Sequence, residues 1–300
     1  MSTFRKSAFT LIELLVVIAI IGILSGLIVV MMGEATNKAN IAKTQVFSNS
    51  LRNSLMLNLI SEWKLNGNAI DAWGNSIQGT LIGGVSTNSN CVYESCLSFD
   101  GVDDYVQINS TALRDITKDF TFTAWFKRIG FSGGTDASSY HGIARTINGD
   151  NWYPRILVSS GGNMIYLQYR DNSPTPVQYE YMAVNNINFD LGKWHFLTVT
   201  KGSFGVKIYF DDKQVGQSPT LTHTMKTGVD AFLIGCGASP IIHYMANGTI
   251  DDVHIFKEAI SMSQIKEQYY SGLNNLFISG QITKEEYANN LSVNNNYAQY

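Results

Sequence analysis

Five aspartates in two short runs have the chemistry of metal ligands. Asp100, Asp103 and Asp104 lie in one run, and Asp251 and Asp252 are adjacent in another. Carboxylate oxygens are the ligands that Ca²⁺ prefers, so one interpretation is a calcium ion held by some of these groups. Aspartates beside glycine are equally typical of turns, where the carboxylate accepts hydrogen bonds from nearby backbone N–H groups. The pattern leaves both interpretations open.

The aromatic-rich segment 140–181 is a second candidate site. Trp152, Tyr153, Tyr166 and Tyr169 stand there among Asn, Asp and Ser. Aromatic rings beside a few polar groups are typical of ligand sites and suit a sugar. Because β-sheet cores also use aromatic residues, packing is the alternative interpretation.

Other reactive side chains give no catalytic pattern. The 5 histidines are scattered without the spacing of a metal site, and no nucleophile or phosphate-loop motif occurs. Cys91 and Cys96 are close enough in sequence to form a disulfide in an exported chain, whereas Cys236 is expected to be a buried thiol. We therefore expect a binding or structural protein and not an enzyme.

Composition excludes one further class. The 300 residues are 45% hydrophobic and 15% charged, with a net charge of -3. Neutralising phosphates requires clustered Lys and Arg, so a nucleic-acid-binding protein is not expected. The length fits about two domains, or one β-rich domain with additions.

The hydrophobic residues are concentrated near the N-terminus, where 9–32 carry a single charge, Glu13. An apolar run of this length predicts a transmembrane helix and is too long for the apolar part of a signal peptide. Arg5 and Lys6 precede the run, which places the N-terminus in the cytoplasm and the remainder outside. A carboxylate in a membrane span is costly, so Glu13 is expected to be functional.

The sequence KSAFTLIELLVVIAIIGIL at 6–24 resembles the leader and helix start of bacterial type IV pilins and the pseudopilins of type II secretion. The resemblance implies that a prepilin peptidase of the inner membrane cuts between Ala8 and Phe9 and methylates the new N-terminus. It also implies that Glu13 pairs with the terminal amine of a neighbouring pilin-like subunit. The family has Gly before the cut, whereas this chain has Ala8; since Ala is the smallest available replacement, processing is still expected.

Beyond the apolar run, an apolar stripe without Pro or Gly predicts that the helix continues to residue 59. The predicted organisation is therefore a leader at 1–8, a pilin-like helix at 9–59 with its transmembrane part at 9–32, a β-rich domain at 60–272, and a C-terminal helix and polar tail at 273–300.

The β-rich region shows short alternating strands separated by Gly-, Asn- and Asp-rich turns, as in FTFTAWF at 120–126. With SFDGVDDYV at 98–106, WHFLTVT at 194–200 and GTIDDVHIF at 248–256, it resembles a laminin-G-like domain of the concanavalin A-like lectin/glucanase group. The resemblance implies a jelly-roll sandwich that binds glycans or proteins, often with Ca²⁺. The Glu-x-Asp-x-Glu pattern of the retaining glycanases of this fold does not occur.

Two capping-box patterns predict C-terminal helices, one from Ser261 to Tyr270 and one from Thr283 to about Leu291. The expected fold class is thus α+β, mainly β: a long N-terminal transmembrane pilin helix, an antiparallel jelly-roll β-sandwich and short C-terminal helices.

The functional hypothesis is a pilin-like or pseudopilin subunit, assembled through its helix, that displays the laminin-G-like domain for adhesion or for binding a glycan or surface protein. It would lie in the inner membrane with the domain outside, and on the cell surface once assembled. The alternatives are a membrane-anchored carbohydrate-binding protein that never polymerises and, less favoured, a polysaccharide-degrading enzyme.

Cleavage between Ala8 and Phe9 gives the first testable prediction. Cells that contain a prepilin peptidase should yield a product about 1 kDa smaller than cells without it, because the leader is eight residues long. Immunoblots and mass spectrometry of the two samples measure the difference, and equal masses would contradict the assignment of a leader.

Overall fold

The computed structural model covers the 300-residue chain, and its described residues are 11–22, 25, 50, 53–74, 77–110, 113, 119–130, 140–147, 154–159, 163–170, 179–221, 231–237 and 244–292. Two units are distinguished, Met1–Asn53 and Ser54–Tyr300.

The described residues form helices and strands whose bounds are as follows. The first helix, α1, covers residues 11–22. The strands are β1 (Leu59–Trp63), β2 (Gly79–Ile82), β3 (Ser86–Asn88), β4 (Cys96–Asp100), β5 (Tyr105–Ile108), β6 (Phe120–Arg128), β7 (Tyr140–Ile147), β8 (Arg155–Ser159), β9 (Met164–Arg170), β10 (Tyr179–Asn185), β11 (Trp194–Gly202), β12 (Gly205–Phe210), β13 (Lys213–Ser218), β14 (Ala231–Ile234) and β15 (Asn247–Phe256). Two further helices follow, α2 (Met262–Ile278) and α3 (Lys284–Ser292).

Helix α1 belongs to the first unit and is apolar on every side. Its side chains are exposed, with Leu11 at 77% and Ile21 still at 55%. Residues 53–58 are also helical, and most of the residues between lie outside the described part, so the helix predicted at 9–59 stays a prediction. Among the residues that are described, no helix is both long enough and apolar enough to cross a membrane.

Two antiparallel sheets form the second unit. The larger sheet has the order β13-β12-β11-β6-β15-β4-β3, and β1 pairs with β15 beside this path. The smaller sheet has the order β10-β9-β8-β7-β14-β5-β2. The two sheets enclose the main core, to which alternate residues of the strands contribute, as Phe122 and Ala124 of β6 do. The predicted mainly β sandwich is confirmed.

The larger sheet is covered on its other face as well. Trp125 of β6, Phe196 of β11 and Phe256 of β15 form a second core with Tyr269 and Leu273 of α2. The rings of Trp125 and Tyr269 stack with centroids 5.6 Å apart. Strand β6 is therefore buried on both faces.

The start of α2 is as predicted, with Ser261 as N-cap and a complete capping box with Gln264. The predicted end at Tyr270 is wrong, because the helix continues to Ile278. The continuation carries Leu273 and Leu276, both buried in the second core, and this contact stabilises the additional turns. The α3 helix is confirmed as predicted, with Thr283 and Glu286 bonded as a capping box.

The predicted disulfide is confirmed: Cys91 and Cys96 are bonded, with their Cα atoms 5.6 Å apart. Cys236 is fully buried, as expected, in a small cluster with Leu233 and Met245.

Close packing of α2 against β6 gives a prediction about Gly272. A Cβ atom at this position would lie 2.4 Å from Cζ2 of Trp125, a side chain only 1% exposed. Gly→Ala within a helix normally stabilises it by about 0.5–1 kcal/mol, whereas overpacking a core costs about 1–3 kcal/mol. We expect Gly272→Ala to lower the free energy of unfolding by about 1–3 kcal/mol in urea denaturation. Asn274→Ala, at an exposed position of the same helix, is the control and should have little effect; a stabilised Gly272→Ala would contradict the packing.

Candidate functional site

The outer face of the smaller sheet carries polar and aromatic side chains. Along β9, Ile165 and Leu167 point into the main core, so Tyr166 and Gln168 project from the opposite face. Along β10, Met182 and Val184 point into the main core, so Tyr181 projects from the opposite face by the same alternation. This alternation brings side chains from several strands onto one surface.

Four tyrosines and an arginine form a continuous group there, which we call the tyrosine–arginine face: Tyr140, Arg155, Tyr166, Tyr181 and Tyr244. The ring centroids of Tyr166 and Tyr181 are 6.1 Å apart and nearly parallel, at 20°. Tyr140 lies 6.0 Å from Tyr166 and meets Tyr244 edge-on at 5.4 Å. Tyr181 is 65% exposed and Tyr140, Tyr166 and Tyr244 are partly exposed, so the group is accessible to a ligand.

Tyr244 is positioned by an unusually close backbone contact. Its carbonyl oxygen accepts hydrogen bonds from the N–H groups of Gly142, at 2.8 Å, and Gly237, at 3.0 Å. A Cβ on Gly142 would lie 1.9 Å from the backbone nitrogen of Gly237, so only glycine fits. Tyr244 itself has a φ of 62°, a conformation that the two hydrogen bonds help to hold.

Arg155 links the tyrosines. Its guanidinium carbon is 6.0 Å from the ring centroid of Tyr244, and the side chain hydrogen-bonds with Tyr166. Burial raises the pKa of the Tyr166 hydroxyl and the charge of Arg155 partly offsets this, so the hydroxyl stays protonated at neutral pH and can donate. The face thus offers flat apolar rings next to hydrogen-bond donors, which is the combination that binds sugar rings.

The sequence predicted this surface only in part. Tyr166 lies on it, whereas Trp152 and Tyr153 lie outside the described residues, as does the side chain of Tyr169. Tyr140 and Tyr181 mark the ends of the predicted segment and belong to the face. Arg155 was missed, although its place in an alternating strand could have indicated an outward side chain. Tyr244 is distant in sequence and no local pattern indicates it.

The first acidic run braces a turn. Ligand oxygens of Asp100, Asp103 and Asp104 lie within 4.8 Å of one another. Asp104 is 2% exposed; its carboxylate accepts hydrogen bonds from the N–H groups of Gly84 and, at 2.9 Å, of Asp100. Asp100 in turn accepts from Val102 at 2.8 Å. Burial raises the pKa of Asp104, and the charges of Asp100 and Asp103 add to this. Calcium at this group stays a prediction.

Asp251 lies in a different group, beside the disulfide. Oδ2 accepts hydrogen bonds from the N–H groups of Val92, at 2.9 Å, and Tyr93, at 3.0 Å, while Oδ1 is buried without a hydrogen-bond partner. Burial raises the pKa of this carboxyl group to about 8. It is therefore mostly protonated at neutral pH, which makes it a poor calcium ligand there.

Asp252 belongs to a third group, with Glu62, Lys64 and His254, that the sequence reasoning missed. His254 Nε2 is 3.3 Å from Glu62 Oε1 and 3.8 Å from Asp252 Oδ1, and Lys64 Nζ is 3.8 Å from Asp252 Oδ1. Burial alone would raise the pKa of Glu62, but His254 and Lys64 outweigh it and lower the value to about 2. Because these cations balance the two carboxylates, the group works as an ion-pair cluster between β1 and β15.

The residues predicted for processing and assembly lie in the N-terminal unit. Ala8 and Phe9 are outside the described residues. Glu13 lies in α1, where it is exposed among apolar side chains.

Comparison with known families now defines the class of the chain. Residues 3–29 match the prokaryotic N-terminal methylation motif. Residues 100–266, more than half of the chain, match a laminin-G-type family model described as the concanavalin A-like lectin/glucanases superfamily. The chain belongs to this superfamily and carries an N-terminal methylation motif in front of its superfamily domain. No curated protein sequence matches it.

Solved structures share the fold. The receptor binding domain of botulinum neurotoxin mosaic serotype C/D superposes with a TM-score of 0.56 at 18% identity, over 73% of this chain and 52% of that one. The botulinum neurotoxin serotype G binding domain superposes with a TM-score of 0.56 at 13% identity, over 72% of this chain and 51% of that one. The chain thus spans about half the length of these domains. A third structure is domain 4 of AbnA, a GH43 extracellular arabinanase from Geobacillus stearothermophilus, solved in complex with arabinotriose. It superposes with a TM-score of 0.52 at 15% identity, over 70% of this chain and 97% of that one.

The buried carboxyl group of Asp251 gives a prediction about pH. In the unfolded chain an aspartate ionises near pH 4, whereas in the folded chain Asp251 keeps its proton to about pH 8. Between these values the folded state binds more protons than the unfolded state, so this residue makes stability fall as pH rises. We expect Asp251→Asn, whose carbonyl oxygen can still accept from Val92 and Tyr93, to be more stable than the wild type at pH 8 by about 1 kcal/mol or more, with the gain vanishing towards pH 4.

Urea denaturation at pH 4.5, 6 and 8 measures this difference. Asn274→Ala, which removes no ionisable group from an exposed position of α2, is the control and should change stability equally at the three values. An Asp251→Asn protein whose stability falls with pH as steeply as that of the wild type would show that another group is responsible.

Proposed function

We propose that this chain is a pilin-like subunit that displays a glycan-binding domain. A prepilin peptidase cuts between Ala8 and Phe9 and methylates Phe9, and the helix that follows assembles with the helices of other pilin-like subunits. The domain binds glycan through the tyrosine–arginine face. The observation that carries the proposal is the occurrence of both parts in one chain, the methylation motif at 3–29 and the superfamily domain at 100–266.

The chemistry of α1 supports assembly. Apolar side chains are exposed around the whole helix, and such a surface must be buried in lipid or against other helices. Glu13 is exposed within this surface, where a carboxylate gains strongly from a cationic partner such as the terminal amine of a neighbouring subunit. This arrangement supports a location in the inner membrane with the domain outside, and on the cell surface after assembly.

The geometry of the tyrosine–arginine face supports binding. Stacked rings of Tyr166 and Tyr181 next to Arg155 offer both an apolar surface and hydrogen-bond donors. AbnA domain 4, which shares the fold, was solved with arabinotriose, and this likeness adds support for a sugar as the ligand. We propose binding and not catalysis, because the acidic groups described above are engaged by backbone N–H groups or by cations.

Tyr166 is central in the face, so its removal tests the binding proposal. We expect the full chain in detergent micelles to bind members of a glycan array, and Tyr166→Ala to weaken that binding about tenfold or more, since both neighbouring rings lose their contact. Phe204→Ala is the control, because Phe204 is 78% exposed on the turn between β11 and β12 and lies outside the face. Repeating the array with EDTA tests the predicted calcium ion.

Binding that Tyr166→Ala leaves intact would place the glycan site elsewhere, and an array without any bound glycan would contradict glycan binding. Electron microscopy of cells with gold-labelled antibody tests assembly: labelled filaments are expected in the wild type and should be lost in Glu13→Leu. Glycan binding at the cell surface without filaments would instead identify an anchored protein that does not polymerise.

A further inference from the structure

Two arginines are register partners on the outer face of the smaller sheet. Arg145 of β7 pairs directly with Arg155 of β8. Arg145 is 2% exposed and Arg155 is partly buried, so both charges are held largely away from water. Like charges at directly opposed positions of a sheet repel, and a negative charge beside Arg155 would offset that repulsion.

The row of side chains continues from Arg155 to Gln168, its register partner on β9. Nε of Arg155 and Oε1 of Gln168 are both buried, and neither atom has a hydrogen-bond partner. A guanidinium donor without a partner is unfavourable, and an acceptor brought close to Arg155 would offset part of this cost.

Aromatic rings border this row. Tyr166 hydrogen-bonds with Arg155, and Tyr181 stacks on Tyr166. The ring of Tyr244 lies 6.0 Å from the guanidinium carbon of Arg155, on the side of Tyr140. A ligand that reaches Arg155 therefore contacts tyrosine rings, which requires that it have a flat or ring-shaped body besides its charge.

We propose that the tyrosine–arginine face binds an acidic sugar, with the carboxylate of a uronic acid against Arg155 and its ring on Tyr166 and Tyr181. This proposal rests on the proposed glycan-binding function and specifies its ligand class. A carboxylate oxygen accepts from the guanidinium group of Arg155. The planar guanidinium group matches a carboxylate, which accepts two parallel N–H bonds. A sulfate ester has similar anionic oxygens and is the other source of such a charge.

The test uses the full chain in detergent micelles and three oligosaccharides of equal length. These are oligogalacturonate, the same oligomer with its carboxyl groups reduced to alcohols, and the reduced oligomer carrying sulfate esters. Isothermal titration calorimetry should show that oligogalacturonate binds about tenfold or more tightly than the reduced oligomer, and more tightly than the sulfated one, with a preference that weakens at high salt.

Arg155→Gln should abolish the preference for the acid over the reduced oligomer. Lys213→Gln removes a positive charge from an exposed position on the larger sheet and should keep the preference, which separates a local effect from net charge. Arg155→Lys keeps the charge but loses the planar group, so an intermediate preference is expected. This second variant serves if Arg155→Gln fails to give a cooperative unfolding transition.

Equal affinity of the wild type for the acid and the reduced oligomer would overturn the acidic ligand class while leaving glycan binding in place. Tighter binding of the sulfated oligomer would overturn the carboxylate assignment. A glycan array that binds only neutral sugars would likewise contradict this inference, whereas an array without any bound glycan would contradict the proposed function itself.

Discussion

The larger sheet is apolar on both of its faces, and the remainder of the domain depends on how both are covered. One face closes the main core against the smaller sheet, and the other presents Trp125, Phe196 and Phe256. Helix α2 covers these rings, and the absence of a side chain at Gly272 lets it approach Trp125 closely. The helix lies mostly beyond residue 266, where the superfamily match ends, yet it packs on the central strand β6.

Because α2 covers the outer face of the larger sheet, polar strand residues project from the outer face of the smaller sheet. The alternation of β8, β9 and β10 directs core residues inward and Arg155, Tyr166 and Tyr181 outward, so a single geometric rule serves both the core and the candidate site. Rigid strands hold these side chains in fixed relative positions, which suits recognition of a ring-shaped ligand. Tyr244 is the member of this face that lies outside a strand, and its carbonyl oxygen accepts hydrogen bonds from the N–H groups of Gly142 and Gly237.

Local patterns predicted the features whose causes are local. The capping box at Ser261 predicted the start of α2, and the close pair Cys91 and Cys96 predicted the disulfide. The end of α2 was wrong, since its last turns depend on contacts with distant strands. The burial of Trp125 beneath the helix depends on the same distant contacts.

The candidate site likewise combines residues indicated by local sequence with residues that only distant contacts bring together. Tyr166 could be predicted because its neighbours within 140–181 share its composition, whereas Tyr244 reaches the face through backbone contacts between distant segments. The aspartates were ambiguous for a chemical reason: turn bracing and calcium binding use the same carboxylates. Spatial partners distinguish them, since Asp104 accepts backbone N–H groups, Asp251 is buried as an acid and Asp252 faces Lys64 and His254.

The first strand of the second unit is held by β15. Strand β15 pairs with β6 along one side. Along its other side it pairs first with β4 and then with β1. Strand β1 directly follows the helical residues 53–58, and the backbone carbonyl of Asn58 accepts from the N–H of Lys257 at 2.8 Å. Glu62 and His254 then join β1 to β15 through a partly buried ion pair.

Because β1 is hydrogen-bonded to the strand that also pairs with β6 and β4, it is held within the larger sheet and is not an isolated edge. The ion-pair cluster lies at the same pairing, and breaking it would leave the buried carboxylate of Asp252 without the charge of Lys64. The strand register that closes the core thus also places Glu62 of β1 opposite His254 of β15.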